Sequence, residues 1–239
     1  MMHSDASNPE RAAQPSGNPS VGMPLWKRSL DLLLILLASP VLLPLMLVIA
    51  LLIKTVSPGP ALFRQERVGY RGRRFTCFKF RTMAVNADTN VHQGHLRKLM
   101  ESNIPMKKLD TRDSRLIPCG LILRSLGLDE LPQIFNVLRG EMSLVGPRPC
   151  IPYEYAGYSE YHRQRFEAVP GLTGLWQVNG KNSTTFEQMI EMDIYYARNK
   201  TLLMDLQILL KTIPAVISQT KQTTEEFKPV FRDPSLERH

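Results

Sequence analysis

The chain has 239 residues, of which 43% are hydrophobic and 22% are charged. This balance excludes a wholly disordered chain, and the length fits one ordinary domain or one domain with a membrane anchor. The formal net charge of +8 leaves two common explanations for a basic protein, which are binding to nucleic acid and binding to an anionic membrane surface.

The basic excess is confined to one part of the chain. Residues 25–82 hold ten Lys and Arg against two acidic residues, whereas residues 83–239 are nearly neutral. The same segment contains the longest apolar run, and no nucleic-acid-binding motif occurs. The distribution therefore favours a membrane surface, and we expect no nucleic acid partner.

The N-terminal residues 1–24 are polar and rich in Ser, Pro, Asn and Ala, which predicts a disordered tail. Residues 32–53 then form an uncharged run of 22 residues. As a straight helix this run would measure about 33 Å, enough to cross a bilayer core of about 30 Å. Length alone therefore predicts a single membrane span.

Two features of the apolar run argue against a simple span. Ser39-Pro40 and then Pro44 lie inside it, and an internal proline removes a backbone hydrogen bond and kinks a helix. Lys27 precedes the run and Lys54 follows it, whereas positive charges usually mark only the cytoplasmic side of a span. A helix–break–helix hairpin that enters and leaves on one face explains both features. A kinked ordinary span explains them about equally well, because membrane helices tolerate proline.

A short strand is predicted over residues 75–80, where Phe75, Cys77, Phe78 and Phe80 are interleaved with polar residues. Strand side chains alternate, so Lys79 and Arg81 are expected on the same face. Two cations on one face can hold a diphosphate. The alternative is a solvated edge strand beside anionic headgroups.

Residues 116–149 contain the candidate chemistry. Gly127 is expected to break one apolar helix, and a second helix is predicted from Asp129 to the break at Gly140. A short strand over residues 142–145 then leads into a rigid turn, residues 146–149, which carries Arg148.

Asp129 and Glu130 allow two interpretations. Acidic residues are common at helix N-termini, where they cap the helix and oppose its dipole. The same dipole favours an ionised carboxylate, which can act as a nucleophile, and a neighbouring carboxylate can bind Mg²⁺ together with substrate phosphates.

Two further helices are predicted, over residues 185–199 and 202–217. In the first, Asp193 lies away from the centre of the apolar stripe, where a residue is usually solvated. The second is amphipathic, which suits either the core or a membrane interface. Residues 219–239 are expected to fray.

The order of several short motifs along the chain resembles that of a known family. From about Trp26 to Thr220 the chain resembles bacterial sugar transferases, the monotopic phosphoglycosyl transferases, in their compact form without extra N-terminal membrane spans. The motifs are Lys27-Arg28-Ser29-Leu30-Asp31, Ser39-Pro40, Ser57-Pro58-Gly59-Pro60, Phe78-Lys79-Phe80-Arg81-Thr82-Met83, Leu128-Asp129-Glu130-Leu131-Pro132-Gln133, Gly146-Pro147-Arg148-Pro149 and Pro170-Gly171-Leu172-Thr173-Gly174.

The resemblance implies an enzyme that moves a sugar-1-phosphate from a UDP-sugar to a polyprenyl phosphate such as undecaprenyl phosphate and releases UMP. Galactose or glucose is the favoured sugar, the cofactor is Mg²⁺, and the mechanism is ping-pong through a covalent aspartyl intermediate. Such a reaction is the first membrane step of polysaccharide or glycoconjugate assembly, at the cytoplasmic face of the bacterial inner membrane. The resemblance also allows a homodimer in contact with membrane lipid.

The family's functional residues carry over to eight positions. Asp129 aligns with the nucleophile and Glu130 with its partner near the metal. The expected substrate-binding residues are Lys79, Arg81, Arg148 and Asp193, and the expected break of the membrane helix is Ser39-Pro40. Two alternatives stay open: direct transfer to the lipid with Asp129 only binding metal, and a non-catalytic membrane adaptor.

The expected fold class is α/β and mostly helical. A re-entrant membrane hairpin is expected over residues 25–56, followed by a small cytoplasmic catalytic domain over 57–218. That domain should contain short strands and interfacial amphipathic helices, with tails at 1–24 and 219–239.

Overall fold

The computed structural model describes residues 22–85, 102, 104–105, 115–180 and 183–227, with the backbone alone at 221–227. Residues 1–21, which make up most of the predicted N-terminal tail, lie outside this part of the chain.

The described chain is mostly helical with two small sheets, as the sequence predicts. The helices are α1 (Leu25–Val56), α2 (Gly120–Ser125), α3 (Ile134–Leu138), α4 (Pro152–Ala156), α5 (Glu160–Arg163), α6 (Leu175–Val178), α7 (Phe186–Asn199) and α8 (Leu202–Phe227). Short 3₁₀ helices occupy Tyr70–Gly72, Leu128–Gln133 and Gln164–Glu167. The strands are β1 (Leu62–Val68), β2 (Arg74–Phe80), β3 (Ser143–Val145) and β4 (Gly171–Thr173).

The two sheets contain two strands each. β1 and β2 form an antiparallel hairpin in which Leu62 pairs with Phe80 and Phe63 pairs with Lys79. β3 and β4 are parallel, with Ser143 opposite Gly171. The prediction of strands over residues 75–80 and 142–145 is confirmed.

Helix α1 runs through both internal prolines, Pro40 and Pro44. Pro40 has no N–H to donate to the Leu36 carbonyl, and the Ser39 hydroxyl donates to that carbonyl instead, at 2.8 Å. The Ser39 hydroxyl thus replaces the backbone donor that Pro40 lacks, and the Leu36 carbonyl keeps a hydrogen-bond partner.

The buried residues of α1 lie in two groups. Lys27, Asp31 and Ile35 are buried in the first half, and Met46, Ile49 and Ile53 in the second, with no buried residue from 36 to 45. The rest of the helix exposes a large apolar surface, which in a folded chain usually marks a membrane or protein contact. Its most exposed members are Leu25, Leu36, Leu37, Val41, Leu47, Val48 and Leu51.

Each half of α1 shares an apolar cluster with a residue of the small helix α3. Ile35 shares an apolar cluster with Val137, and Met46 shares another with Ile134. The Arg28 guanidinium donates to the carbonyls of Val137 and Leu138 at 2.5 and 2.7 Å, a favourable position for a cation at a helix C-terminus. The apolar helix is therefore fixed to the domain at both ends of its sequence.

Two described helices are long and apolar enough to cross a membrane, judged by length and composition alone. They are α1 and the segment Leu202–Thr220 of α8.

Helix α7 confirms the prediction for residues 185–199, and its N-terminus is a capping box in which Thr185 and Gln188 bond each other's backbone. Helix α8 is longer than predicted, because no Gly or Pro follows Pro214 before residue 227. Thr220 donates to the Ser125 carbonyl at 3.2 Å. The first part of the predicted tail is therefore helical as far as Phe227, and residues 228–239 lie outside the described residues.

The helix predicted from Asp129 differs from the observed one. A 3₁₀ helix begins at Leu128, and α-helical geometry starts only at Ile134. Pro132 cannot donate an α-helical hydrogen bond, and 3₁₀ turns are frequent at helix starts. Gly127 and Gly140 end their helices as predicted, and both have a positive φ, 68° and 77°.

Candidate active site

Asp129 and Glu130 lie in the first turn of the 3₁₀ helix. Gly127, directly before this helix, takes the left-handed conformation that favours glycine. Asp129 is 8% exposed, while the Glu130 side chain is 36% exposed. The two neighbouring carboxylates therefore differ in burial, with Asp129 the more enclosed.

Lys79 is brought to Glu130 by β2, which packs against the 3₁₀ helix. Its ammonium lies 2.7 Å from Glu130 Oε1. Asn136 holds β2 in place through two hydrogen bonds. Its side-chain NH₂ donates to the Thr76 carbonyl at 2.7 Å, and its side-chain oxygen accepts from the Phe78 backbone N–H at 3.1 Å. The structure thus places a cation from one motif against a carboxylate from another.

Arg148 projects from the turn after β3 and pairs with Glu154 of α4 at 3.5 Å, with 29% of its own side chain exposed. Burial alone would lower the pKa of the guanidinium, but Glu154 and, more weakly, Glu130 raise it above its ordinary value. Arg148 is therefore a permanent cation within electrostatic range of Glu130.

The turn that carries Arg148 is held by two buried arginines. Arg67 donates to the Pro149 carbonyl at 3.1 Å, and Arg165 donates to the Arg148 carbonyl at 2.9 Å. Arg165 is also bonded to Asp193, and both side chains of this ion pair are 1% exposed. Burial raises the pKa of Asp193 to about 6, against the opposing charge of Arg165.

Asp193 is therefore not the solvated helix residue that its place in the sequence suggests. It is fully buried, and it acts on the Arg148 turn through Arg165. The structure brings it near the candidate site but behind it, where a direct contact with substrate would need the core to open. Substrate binding at Asp193 stays a prediction, and in this structure its carboxylate is paired with Arg165.

Arg81 is also placed differently from the expectation. β2 ends at Phe80, so the strand alternation that would put Arg81 beside Lys79 does not continue. Its buried guanidinium makes three hydrogen bonds to the preceding turn, one to the Pro60 carbonyl at 2.7 Å and two to Ser57 at 2.8 and 2.9 Å. In this structure Arg81 fixes the turn that joins α1 to β1.

Cys77 lies on β2 two residues before Lys79, close to the candidate site. Burial raises the pKa of its thiol despite the charges of Lys79 and Arg67. A neutral thiol is a weak nucleophile, so the carboxylates are the stronger candidates for covalent chemistry.

Asp129 and Glu130 fit an Mg²⁺ ion only with help from a substrate. They supply the hard oxygen ligands that Mg²⁺ prefers, and Mg²⁺ commonly uses one or two carboxylates with substrate phosphates and water. Within the described residues, no group of three or more His, Cys, Asp and Glu side chains is placed to hold a metal. An Mg²⁺ ion held by these two carboxylates would need its remaining ligands from substrate phosphates and water.

Four residues of this site were missed by sequence reasoning: Arg67, Asn136, Glu154 and Arg165. Their partners are distant in the chain, as with Asn136 and Thr76, which are 60 residues apart. Arg67 lies on β1, where side chains alternate between the two faces of the hairpin. This alternation could have shown which face Arg67 occupies. Nothing in the sequence around Arg165 distinguishes it from its basic neighbours.

Comparison with known proteins points to one family. A family model described as bacterial sugar transferase matches residues 23–219. The exopolysaccharide production protein ExoY of Sinorhizobium fredii is 41% identical over 197 residues, which cover 80% of this chain and 84% of that protein.

Two other relatives have names that state a reaction. A UDP-glucose:undecaprenyl-phosphate glucose-1-phosphate transferase of Caulobacter vibrioides is 42% identical over 209 residues, covering 84% of this chain and 73% of that protein. An undecaprenyl-phosphate galactose phosphotransferase of Salmonella typhimurium is 37% identical over 202 residues, covering 80% of this chain but 40% of that longer protein. Because the family model matches most of this chain, the chain belongs to the bacterial sugar transferase family.

Proposed function

We propose that this protein transfers a sugar-1-phosphate from a UDP-sugar to a polyprenyl phosphate such as undecaprenyl phosphate, and releases UMP. The observation that carries the proposal is that Glu130, directly after the buried Asp129, is ion-paired with Lys79 and lies within electrostatic range of Arg148. The names of the relatives supply the reaction class, and galactose and glucose are the sugars that those names contain.

The proposed first step uses Asp129 as nucleophile. One of its carboxylate oxygens attacks the phosphorus that carries the sugar, the bond from that phosphorus to the bridging oxygen breaks, and UMP leaves with the electron pair. In the second step an oxygen of the lipid phosphate attacks the same phosphorus and Asp129 leaves as a carboxylate. Splitting the transfer in this way spares the site from binding a soluble donor and a lipid acceptor together.

Cations are needed because an anionic carboxylate is repelled by a diphosphate. Lys79 and Arg148 can neutralise part of that charge, and preorganised charges of this kind are a large term in phosphoryl transfer. A bound Mg²⁺ supplies further neutralisation of the phosphate oxygens. Lys79 can move from Glu130 to a phosphate without leaving a buried charge, since both side chains contact solvent.

We also propose that α1 is a re-entrant hairpin broken at Ser39-Pro40, with the domain at the cytoplasmic face of the inner membrane. In a straight helix Ile35 and Met46 would be about 16 Å apart, yet their clusters include Val137 and Ile134, which neighbour each other on one helix face at about 5 Å. The two internal prolines provide a place for a bend that would bring both halves of α1 to the same small domain.

Labelling tests this topology. Cysteines introduced at Leu25 and Val56, which are exposed at the two ends of α1, should both react with a membrane-impermeant maleimide in inside-out vesicles and not in spheroplasts. Reaction of the two ends from opposite sides would mean a transmembrane span.

The enzymatic proposal is tested by UMP release from a panel of UDP-sugars with undecaprenyl phosphate in detergent or nanodiscs. We expect release with UDP-galactose or UDP-glucose that depends on the donor and on divalent metal. A ternary-complex kinetic pattern would favour direct transfer with Asp129 as a metal ligand. No nucleotide release with any donor would favour a non-catalytic membrane adaptor.

A further inference from the structure

Arg148, which lies in the turn after β3, is held at both its backbone and its side chain. Arg165 donates to the Arg148 carbonyl at 2.9 Å, and Glu154 of α4 pairs with the Arg148 guanidinium at 3.5 Å. Arg165 also donates to the Tyr158 hydroxyl at 3.0 Å, and that hydroxyl donates to Glu154 at 3.4 Å. The four residues therefore form a closed ring of contacts in which Arg148 takes part twice.

Three members of this ring are enclosed by the fold. Arg165, Tyr158 and Glu154 are all buried, and the Tyr158 ring stacks on Phe166 with 6.0 Å between the ring centroids. The fourth member, Arg148, has a partly exposed side chain. The ring is thus a fixed frame around the one guanidinium in it that solvent, and hence a substrate, can reach.

Glu154 depends on Arg148 for compensation of its charge. Its Oε1 atom is buried and accepts no hydrogen bond from the residues that the structure describes, and its ion pair is with Arg148. Leaving a buried carboxylate without its cation is strongly unfavourable. We therefore expect Arg148 to keep this contact when a substrate binds, unlike Lys79, whose partner Glu130 is in contact with solvent.

A guanidinium can keep one partner and still bind another. It carries five N–H donors in a rigid plane, so the contact of Arg148 with Glu154 leaves other N–H groups for a phosphate. A side chain that is already restrained has fewer rotamers to lose on binding, which lowers the cost of ordering it around a ligand. The contact can therefore favour phosphate binding although it uses part of the cation.

We infer that Glu154 is a positioning residue, which holds the Arg148 guanidinium in the orientation that binds the diphosphate of the sugar donor. The inference rests on the proposed function, because it assigns a role in the binding of that donor. Glu154 itself touches no substrate in this account and acts through Arg148 alone.

The test measures how the single turnover of UMP release, without acceptor lipid, depends on the concentration of the UDP-sugar. Glu154→Gln keeps the size of the side chain and removes its charge. The donor concentration at half-maximal rate should rise by about tenfold, because an unanchored arginine loses rotamer freedom when it binds. If Glu154 only balanced positive charge, the more positive site would bind the anionic donor more tightly. An unchanged or lower half-maximal concentration therefore overturns the inference.

A second variant separates positioning from packing. Glu154→Asp keeps the charge on a shorter side chain and should have a half-maximal donor concentration closer to that of the wild type than Glu154→Gln has. A role in packing predicts the reverse order, because Gln has the shape of Glu and Asp does not. The reverse order would therefore contradict the inference.

A double-mutant cycle shows whether Glu154 acts through Arg148. Adding Glu154→Gln to Arg148→Gln should not raise the half-maximal donor concentration any further, and a further rise overturns the inference. The matched control is Glu66→Gln, which removes the carboxylate of an exposed Glu–Arg pair at 3.4 Å and should behave as the wild type. A shift in the control as large as that in Glu154→Gln also overturns it. Failure of the proposed function looks different, because the wild type itself then releases no UMP.

Discussion

The ion pairs of this protein differ sharply in burial between its structural regions and its candidate active site. In Lys27–Asp205 and Arg165–Asp193, all four side chains are at most 2% exposed. In Lys79–Glu130 the side chains are 22% and 36% exposed. All three pairs join residues far apart in the chain, so sequence separation does not distinguish them.

The burial of an ion pair determines whether one of its members can exchange its partner. A buried ion pair cannot exchange its partner without leaving a charge in a low-dielectric interior, so it fixes the elements that it joins. Lys27–Asp205 joins the first turn of α1 to α8, and Tyr196 donates to the same Asp205 at 2.7 Å. A half-exposed pair can exchange a carboxylate for a phosphate, because water compensates the partner that is released.

The largest expected effect comes from breaking the buried pair at the base of α1. Lys27→Met should destabilise the protein by about 3–5 kcal/mol, because it leaves Asp205 buried without its cation. Urea unfolding in detergent measures the change. The double variant Lys27→Met/Asp205→Leu should recover much of the loss, and equal stability of the single and double variants would contradict this role.

The Arg165–Asp193 pair predicts a pH effect with a defined sign. The pKa of Asp193 is raised from 3.8 to about 6, so between these values the folded state binds more protons than the unfolded state. The contribution of Asp193 to stability therefore falls as the pH rises through this window, by on the order of 3 kcal/mol, and levels off above pH 6.

The stability difference between wild type and Asp193→Asn, measured from pH 4 to pH 7, checks this sign. Activity should move the other way, falling as the pH drops below about 6, because protonated Asp193 no longer holds Arg165 against the Arg148 turn. A stability difference that stays constant across the window would count against the raised pKa.

The half-exposed pair predicts a separation of activity from stability. Lys79→Met should lower kcat/KM by about a hundredfold, equivalent to about 3 kcal/mol in the transition state, while stability changes by less than about 1 kcal/mol. Lys79→Arg should restore part of the activity because it keeps the charge. A large loss of stability in Lys79→Met would show that Lys79–Glu130 has a structural role, like the buried ion pairs.

The smallest effect is expected at Arg74–Glu66, where the side chains are 56% and 53% exposed at 3.4 Å. Glu66→Gln should change stability by less than about 0.5 kcal/mol and leave UMP release unchanged. A measurable loss of activity would show that exposure alone does not separate structural from functional charges in this protein.

Local patterns made much of the fold predictable from sequence. The strand at β2 follows from alternation, and α7 follows from an apolar stripe after a capping Thr. Gly127 and Gly140 mark helix ends because few other residues adopt a positive φ. In each case the deciding residues lie within a few positions of each other.

The errors arise where a distant partner decides the outcome. Alternation placed Arg81 on the same face as Lys79, but the strand ends one residue earlier and the Arg81 guanidinium donates hydrogen bonds to Ser57 and Pro60. A role of Arg81 at the diphosphate stays a prediction. Asp193 was expected to be solvated, but it is buried in an ion pair with Arg165, which lies 28 residues away in the chain. A single sequence does not contain such pairings, whereas Asp129 and Glu130 could be proposed as the reactive carboxylates because the motif that carries them is contiguous.

The central claim, that Asp129 carries the phosphosugar, is tested most directly by intact-protein mass spectrometry. Wild-type protein is mixed with the active UDP-sugar without acceptor, quenched and weighed, and the modified residue is located by peptide mapping. We expect one added phosphohexose on Asp129, lost on addition of undecaprenyl phosphate and absent in Asp129→Asn. Turnover by the wild type without any adduct, or full activity in Asp129→Asn, would contradict it.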